Sequence, residues 1–210
     1  MKIDTVLFDL DGTLVDSLPL IKRTYQRVFQ EMNIPWENDE VMTWVGRSLK
    51  DIGNYFAGEE RGQEFFKVYQ HYYAIDHDEY TKAYAGTLEM LEKLHNKGYT
   101  LGVVTSKSGA VAKRSIDFLG MAKYMQILIG AQDVDKHKPL PDPLLVALER
   151  LNRQPAQAAY VGDSPFDVLS AKAAKVKAIA VTWGMATKDI MENHQPDHII
   201  DRWDELYQLL

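Results

Sequence analysis

Five short apolar runs, at residues 5–8, 100–104, 126–129, 158–161 and 178–182, constrain what this chain can fold into more than any other feature. They favour β-branched residues and carry no regular polar alternation, the pattern of strands buried on both faces of a parallel sheet. The segments between them read as helices. Residues 86–97 place Leu88, Leu91 and Leu94 on one face and stop at Gly98. Residues 108–119 end at Gly120, and 142–151 begin among Pro141 and Pro143, which suit a helix start. Strand–helix alternation of this kind predicts a doubly wound α/β sheet. Ligands of such sheets sit beyond the carboxyl ends of the strands.

Residues 18–82 break the rhythm. They hold no convincing strand and are rich in helix formers and aromatics, among them Tyr25, Phe29, Trp36, Trp44, Phe65, Phe66, Tyr69, Tyr72 and Tyr73. The expected division is a core of residues 1–16 and 83–210 and a helical cap of residues 17–82, inserted after the first strand. The linkers are expected near 16–18 and 76–84, with the acidic run Asp76-His77-Asp78-Glu79 as solvated hinge. Ser17 is placed to cap the first cap helix, and the aromatics at 65–73 to pack the cap helices together.

Composition narrows the partners. A formal net charge of −6 disfavours nucleic acid. The chain has no cysteine, so it makes no disulfide or thiolate metal site. With 46% apolar residues among 210 it can bury a real core, yet no run approaches the ~20 residues of a membrane span. Asp4 and Asp9 interrupt the only apolar run near the N-terminus, which argues against a signal peptide. A soluble, cytoplasmic protein without nucleic-acid or membrane partners, monomer or homodimer, is expected.

Chemistry-bearing residues gather at the predicted strand ends. Asp9 and Asp11, two positions apart on an extended chain, face the same way and precede Gly12-Thr13. Two such acids repel unless a cation or a shared proton relieves them. Thr105-Ser106 follow the second buried strand. Lys138 lies in Lys136-His137-Lys138-Pro139-Leu140-Pro141, and Asp163 and Asp167 in Gly162-Asp163-Ser164-Pro165-Phe166-Asp167. Singly, each has a bland reading as a helix cap or a solvated loop residue; together, in this order, they are specific.

This set resembles the motifs of the haloacid-dehalogenase-like hydrolases, over essentially the whole chain, and lies nearest their phosphoglycolate-phosphatase-like branch. The resemblance implies a Rossmann-like core under a helical cap and Mg²⁺-dependent hydrolysis of a small phosphorylated metabolite through an aspartyl-phosphate. It implies Asp9 as nucleophile and Asp11 as acid/base. Asp9, Asp163 and the backbone carbonyl of Asp11 would hold the metal, with Asp167 steadying them. Gly12, Thr105, Ser106 and Lys138 would bind the phosphoryl group. Arg47, in the Val45-Gly46-Arg47-Ser48-Leu49 segment, falls where relatives carry a substrate-specificity loop.

Four aspartates against Mg²⁺ and Lys138 leave one negative charge, which a proton on Asp11 would neutralise. An acid at position 11 favours phosphate chemistry over dehalogenation or phosphonate cleavage, and Lys50 reads as a surface helix lysine rather than a Schiff base. Phosphoglycolate is the first expectation for the substrate. Inorganic pyrophosphate, then sugar or nucleotide phosphates, are the alternatives. A β-phosphoglucomutase-like mutase and a silent regulator are remote; a regulator would be expected to have lost Asp9, Asp11 or Lys138.

Overall fold

The computed structural model describes residues 2–210. Six parallel strands form the main sheet: β1 (Thr5–Phe8), β4 (Thr100–Val104), β5 (Ile127–Ile129), β6 (Ala158–Gly162), β7 (Lys177–Val181) and β8 (His198–Ile200). Their order is β5-β4-β1-β6-β7-β8, so β1 lies between β4 and β6. In register, Phe8 faces Val103 on one side and Val161 on the other, and the three strand ends converge.

Period-two alternation divides the side chains between two cores. Val6, Phe8, Val103, Val161 and Ile179 pack on one face against α4 (Thr87–Asn96), α5 (Gly109–Phe118) and α9 (Trp203–Leu206). Leu7, Val104, Tyr160 and Ala180 pack on the other against α6 (Asp142–Arg150), α7 (Pro165–Ala174) and α8 (Lys188–Asn193). Burying one large aliphatic side chain stabilises the fold by about 1.5–3 kcal/mol, so both layers contribute. In α4 the buried face is Met90, Leu91 and Leu94, while Leu88 is 41% exposed. Leu91 and Leu94 of the expected face are buried as read, while Leu88 gives way to Thr87 and Met90.

The helical layer over the strand ends consists of α1 (Leu18–Glu31), α2 (Leu49–Ala57) and α3 (Gly62–Tyr80), with a short 3₁₀ segment at Glu40–Trp44. It has its own apolar cluster, including Tyr25, Phe29, Ile52, Phe65 and Tyr73. Where linkers were expected, β2 (Val15–Asp16) pairs antiparallel with β3 (Lys82–Ala83). A two-residue ribbon has no periodicity for a sequence reading to find.

The acidic run is no solvated hinge. It is the last part of α3, with Asp76 and His77 buried. Asp76 pairs with Arg23 and Arg27 of α1 at 2.9 and 3.1 Å. His77 Nε2 lies 2.8 Å from Ser115 Oγ on α5, fastening cap to core.

Candidate active site

The site lies beyond the carboxyl ends of β1, β4 and β6. Asp9 follows β1 directly, and its backbone N–H donates to the Val161 carbonyl at 2.9 Å, so the strand pairing itself fixes its position. The Asp9 carboxylate is buried, and its Oδ1 has no directed hydrogen bond although Lys138 Nζ stands 3.1 Å away. Burial raises the Asp9 pKa from its ordinary value to about 7; Asp167 and Asp11 push the same way and Lys138 opposes them. Asp163 is shifted well upward by burial, then by Asp167 and Asp9. Acids held this way call for a cation.

Asp9, Asp163 and Asp167 bring one carboxylate oxygen each within 4.8 Å of one another, all buried. An all-oxygen set with an orphaned oxygen suits a hard divalent cation. Asp163 is aimed by Thr13, whose hydroxyl donates to Oδ1 at 3.0 Å, and by the Met185 N–H, which donates to Oδ2 at 2.7 Å. Asp167 is fully engaged: its Oδ1 accepts from Lys138 at 2.6 Å, and its Oδ2 accepts from the backbone N–H and the hydroxyl of Ser164. That occupation fits a residue that orients its neighbours.

Lys138 is buried among Asp167, Asp9 and the Tyr160 hydroxyl. Burial alone would lower its basicity, but Asp167 and Asp9 more than offset this and hold it protonated. Tyr160 belongs to this group although no motif marks it; it sits mid-strand in β6, 2.8 Å from the Val104 carbonyl.

Three sequence expectations change in detail. Gly12 adopts φ +80°, and its N–H donates to the Val15 carbonyl, so it is not free for a phosphate. Its requirement is steric: a Cβ there would lie 2.1 Å from Asp163 Oδ2. The Ser106 hydroxyl donates to the Gly46 carbonyl at 2.6 Å, tying cap to core, while Thr105 Oγ1 accepts the Lys107 N–H at 3.2 Å. Ser17 makes no side-chain cap to α1; its hydroxyl donates to Asp11 Oδ1 instead.

Lys107 is the cation that sequence reasoning missed. Its Nζ donates to both oxygens of Asp11, at 2.6 and 2.7 Å. It supplies the positive charge that the sequence argument had assigned to a proton on Asp11. Burial works against its protonation, and Asp11, the main opposing influence, holds the ammonium charged.

A cavity of about 670 Å³ opens between cap and core, bordered by Asp9, Asp11, Thr105 and Lys107 below and by α2 and α3 above. Arg47 lies at its rim, its guanidinium 4.4 Å from the Trp44 ring of the cap and 4.9 Å from the Phe166 ring of α7. Lys50 and His137 also border it, and Trp183 packs beside the site with its indole N–H on the Thr13 carbonyl.

A parallel sheet with acids at two adjacent strand ends, hydroxyls at a third, a buried lysine and a helical layer above them defines a phosphohydrolase of α/β fold. The sequence profile of the haloacid dehalogenase-like hydrolases matches residues 6–181, and the chain belongs to that family. A relative from Caldanaerobacter subterraneus subsp. tengcongensis, named "Putative pyrophosphatase PpaX", is 37% identical over 100% of this chain and 94% of its own. Pyrophosphatase PpaX of Oceanobacillus iheyensis is 31% identical over 96% of this chain and 94% of its own. A crystal structure described as a predicted phosphoglycolate phosphatase from Haemophilus somnus 129pt is 25% identical with a TM-score of 0.89, covering 100% of this chain and 98% of that one.

Proposed function

We propose that this chain hydrolyses a small phosphate monoester, with Mg²⁺ as cofactor, by way of an aspartyl-phosphate on Asp9. The observation that carries the reading is Asp9 itself: a buried carboxylate whose Oδ1 has only the Lys138 ammonium beside it and no directed hydrogen bond, next to two further acids. In the first displacement an Asp9 oxygen bonds to phosphorus, and the bond to the leaving oxygen breaks with its electron pair. Asp11 passes that oxygen a proton taken up with the dianionic substrate. In the second, water attacks phosphorus, Asp11 receives its proton, and Asp9 leaves as carboxylate.

Lys138 faces the nucleophile and the phosphoryl oxygens as a compact cation. Thr105 and the backbone beside Ser106 border the same space. Asp9, Asp163 and the Asp11 carbonyl would hold the metal, which supplies charge neutralisation of the phosphoryl oxygens. Ser17 and Lys107 fix the Asp11 carboxylate at the mouth of the cavity.

Pyrophosphate is the second reading, favoured by the relatives that match the full chain under that name. Phosphate release is the test. Turnover of at least one monoester or of pyrophosphate is expected with Mg²⁺, lost in EDTA and in Asp9→Asn. Turnover that survives in Asp9→Asn at near-native rate overturns the covalent route.

A further inference from the structure

The cap holds a second cavity, of about 190 Å³, that shares no lining residue with the one above Asp9. Sites for drug-sized ligands run to about 300–1,000 Å³, so this one suits a single compact group. Four aromatic rings border it: Phe29 of α1, Trp36 of the loop that follows, and Tyr55 and Phe56 of α2. They meet as the corners of a box rather than as a stack. Trp36 stands at 72° to Phe29 with ring centroids 5.2 Å apart, and Tyr55 at 79° to Phe56 with centroids 4.9 Å apart. Phe29 joins the two pairs, 5.4 Å from Phe56. Asp39 holds the loop in this shape: it accepts from the Trp36 indole N–H at 3.1 Å and pairs with Lys22 of α1.

Two carboxylates border the same cavity. Glu37 and Glu40 are exposed, and among the described residues only their backbone groups are hydrogen-bonded. The Glu40 N–H donates to the Glu37 carbonyl at 2.8 Å, and the Thr43 hydroxyl to the Glu40 carbonyl at 2.7 Å. Elsewhere the cap covers rings with its own cations: Arg23 lies over Tyr80, Arg27 over Tyr72 and Arg47 over Trp44. Among the described residues no cation lies over the four rings of the box. The face of an aromatic ring carries negative potential. Rings and unpaired carboxylates around one small cavity therefore add in sign and attract a cation.

We infer that this cavity binds a methylated ammonium group, the head of a quaternary or alkylated amine, independently of the phosphohydrolase site. Its methyl groups pack on Trp36, Tyr55 and Phe56, and its charge faces Glu37 and Glu40. A primary ammonium fits less well, because it is strongly hydrated and the rings offer it no hydrogen-bond acceptors.

The test titrates choline and its uncharged isostere, 3,3-dimethyl-1-butanol, into the isotope-labelled full chain at constant ionic strength, following amide and indole N–H resonances. Expected are saturable shifts at millimolar choline, at the Trp36 indole and at residues 36–41 and 55–56. Choline should bind at least about tenfold more tightly than the alcohol, within the worth of a cation held among several rings. Two variants alter exposed side chains, so the fold stands. Tyr55→Leu removes a ring but keeps apolar contact, and Glu37→Gln/Glu40→Gln removes the charge. Each should weaken choline by about fivefold and leave the alcohol nearly unchanged.

Equal affinity for the two probes overturns the proposal. Tighter binding of the alcohol also overturns it and marks an apolar patch instead. Shifts centred on the Asp9–Asp11 cavity, no saturable shift at millimolar choline, or variants that bind choline as the wild type does overturn it as well. None of these outcomes depends on phosphate release, so the hydrolytic reading is judged separately.

Discussion

Asp11 shows how much one unforeseen neighbour changes an argument. From sequence it was one acid too many in a cluster of four, and a proton balanced the charge. In the structure Lys107 spans both of its oxygens and supplies the balance. The two acids after β1 were legible because a strand ending in Asp-x-Asp leaves few structural uses for both. Lys107 was not, since a lysine after two hydroxyls in a loop looks solvated, and nothing local in the sequence places it beside the Tyr73 ring of the cap. Tyr160 was hidden for a related reason: a tyrosine inside an apolar strand reads as core, yet its hydroxyl reaches Asp167 at 3.1 Å. A proton-transfer role for Asp11 has a distinct signature. Asp11→Asn is expected to cut kcat by about 10²–10⁴, the usual worth of a positioned acid or base. Binding of inorganic phosphate and Mg²⁺, followed by calorimetry, should persist in that variant. Near-native kcat would remove Asp11 from the chemistry.

At the scale of elements, two small sets of polar contacts are among those that join the cap to the core. One is the end of α3, held by His77 to Ser115 and by Arg114 to Asp78. The other is the turn before α2. Gly46 takes φ +101° there, and a Cβ would come within 3.1 Å of Phe166 and 3.2 Å of Ser164 Oγ. That close approach lets Ser106 reach the Gly46 carbonyl and sets Arg47 between Trp44 and Phe166. The sequence revealed the glycine and the arginine but not Ser106 and Phe166 opposite them, which come from the loop after β4 and from α7, far along the chain. The same limit explains the expected hinge that is in fact helix: an acidic run reads as exposed when Arg23 and Arg27 cannot be seen opposite it. A neutral hydrogen bond contributes about 1 kcal/mol and an exposed cation–π pair about 0.5–1 kcal/mol. The double variant Ser106→Ala/Phe166→Leu should therefore ease opening of this turn by about tenfold. Hydrogen exchange at residues 45–50 is expected to speed up by that factor while β1, β4 and β6 stay protected. Unchanged exchange at the turn would mean that the contacts do not hold the cap.

For the whole molecule, the strain lies where the fold brings three buried acids to one point. The doubly wound parallel sheet was readable from apolar runs and helical periods, though not the order of its strands. β8 escaped because three residues beside a charged terminus carry too little pattern. The consequence of bringing β1 and β6 together is electrostatic. Asp9 in the metal-free protein is shifted from 3.8 to about 7, first by burial and then by Asp167 and Asp11 against Lys138. A group whose pKa rises on folding gives stability that is full below its unfolded value and lost as pH rises through its folded one. The EDTA-treated protein should therefore lose stability between about pH 4 and pH 7 through Asp9, and Asp163 adds to the slope with the same sign. Asp9→Asn, which cannot ionise, should flatten part of that slope. A divalent cation that binds only the folded, ionised cluster stabilises by mass action. Mg²⁺ should accordingly raise the melting temperature more at pH 8 than at pH 5 in the wild type, and much less in Asp9→Asn. Thermal scans of both proteins at the two pH values, with EDTA and with Mg²⁺, measure all of this. Parallel behaviour of the two proteins would show that Asp9 does not carry the cluster's charge, and the site would need another owner for the metal.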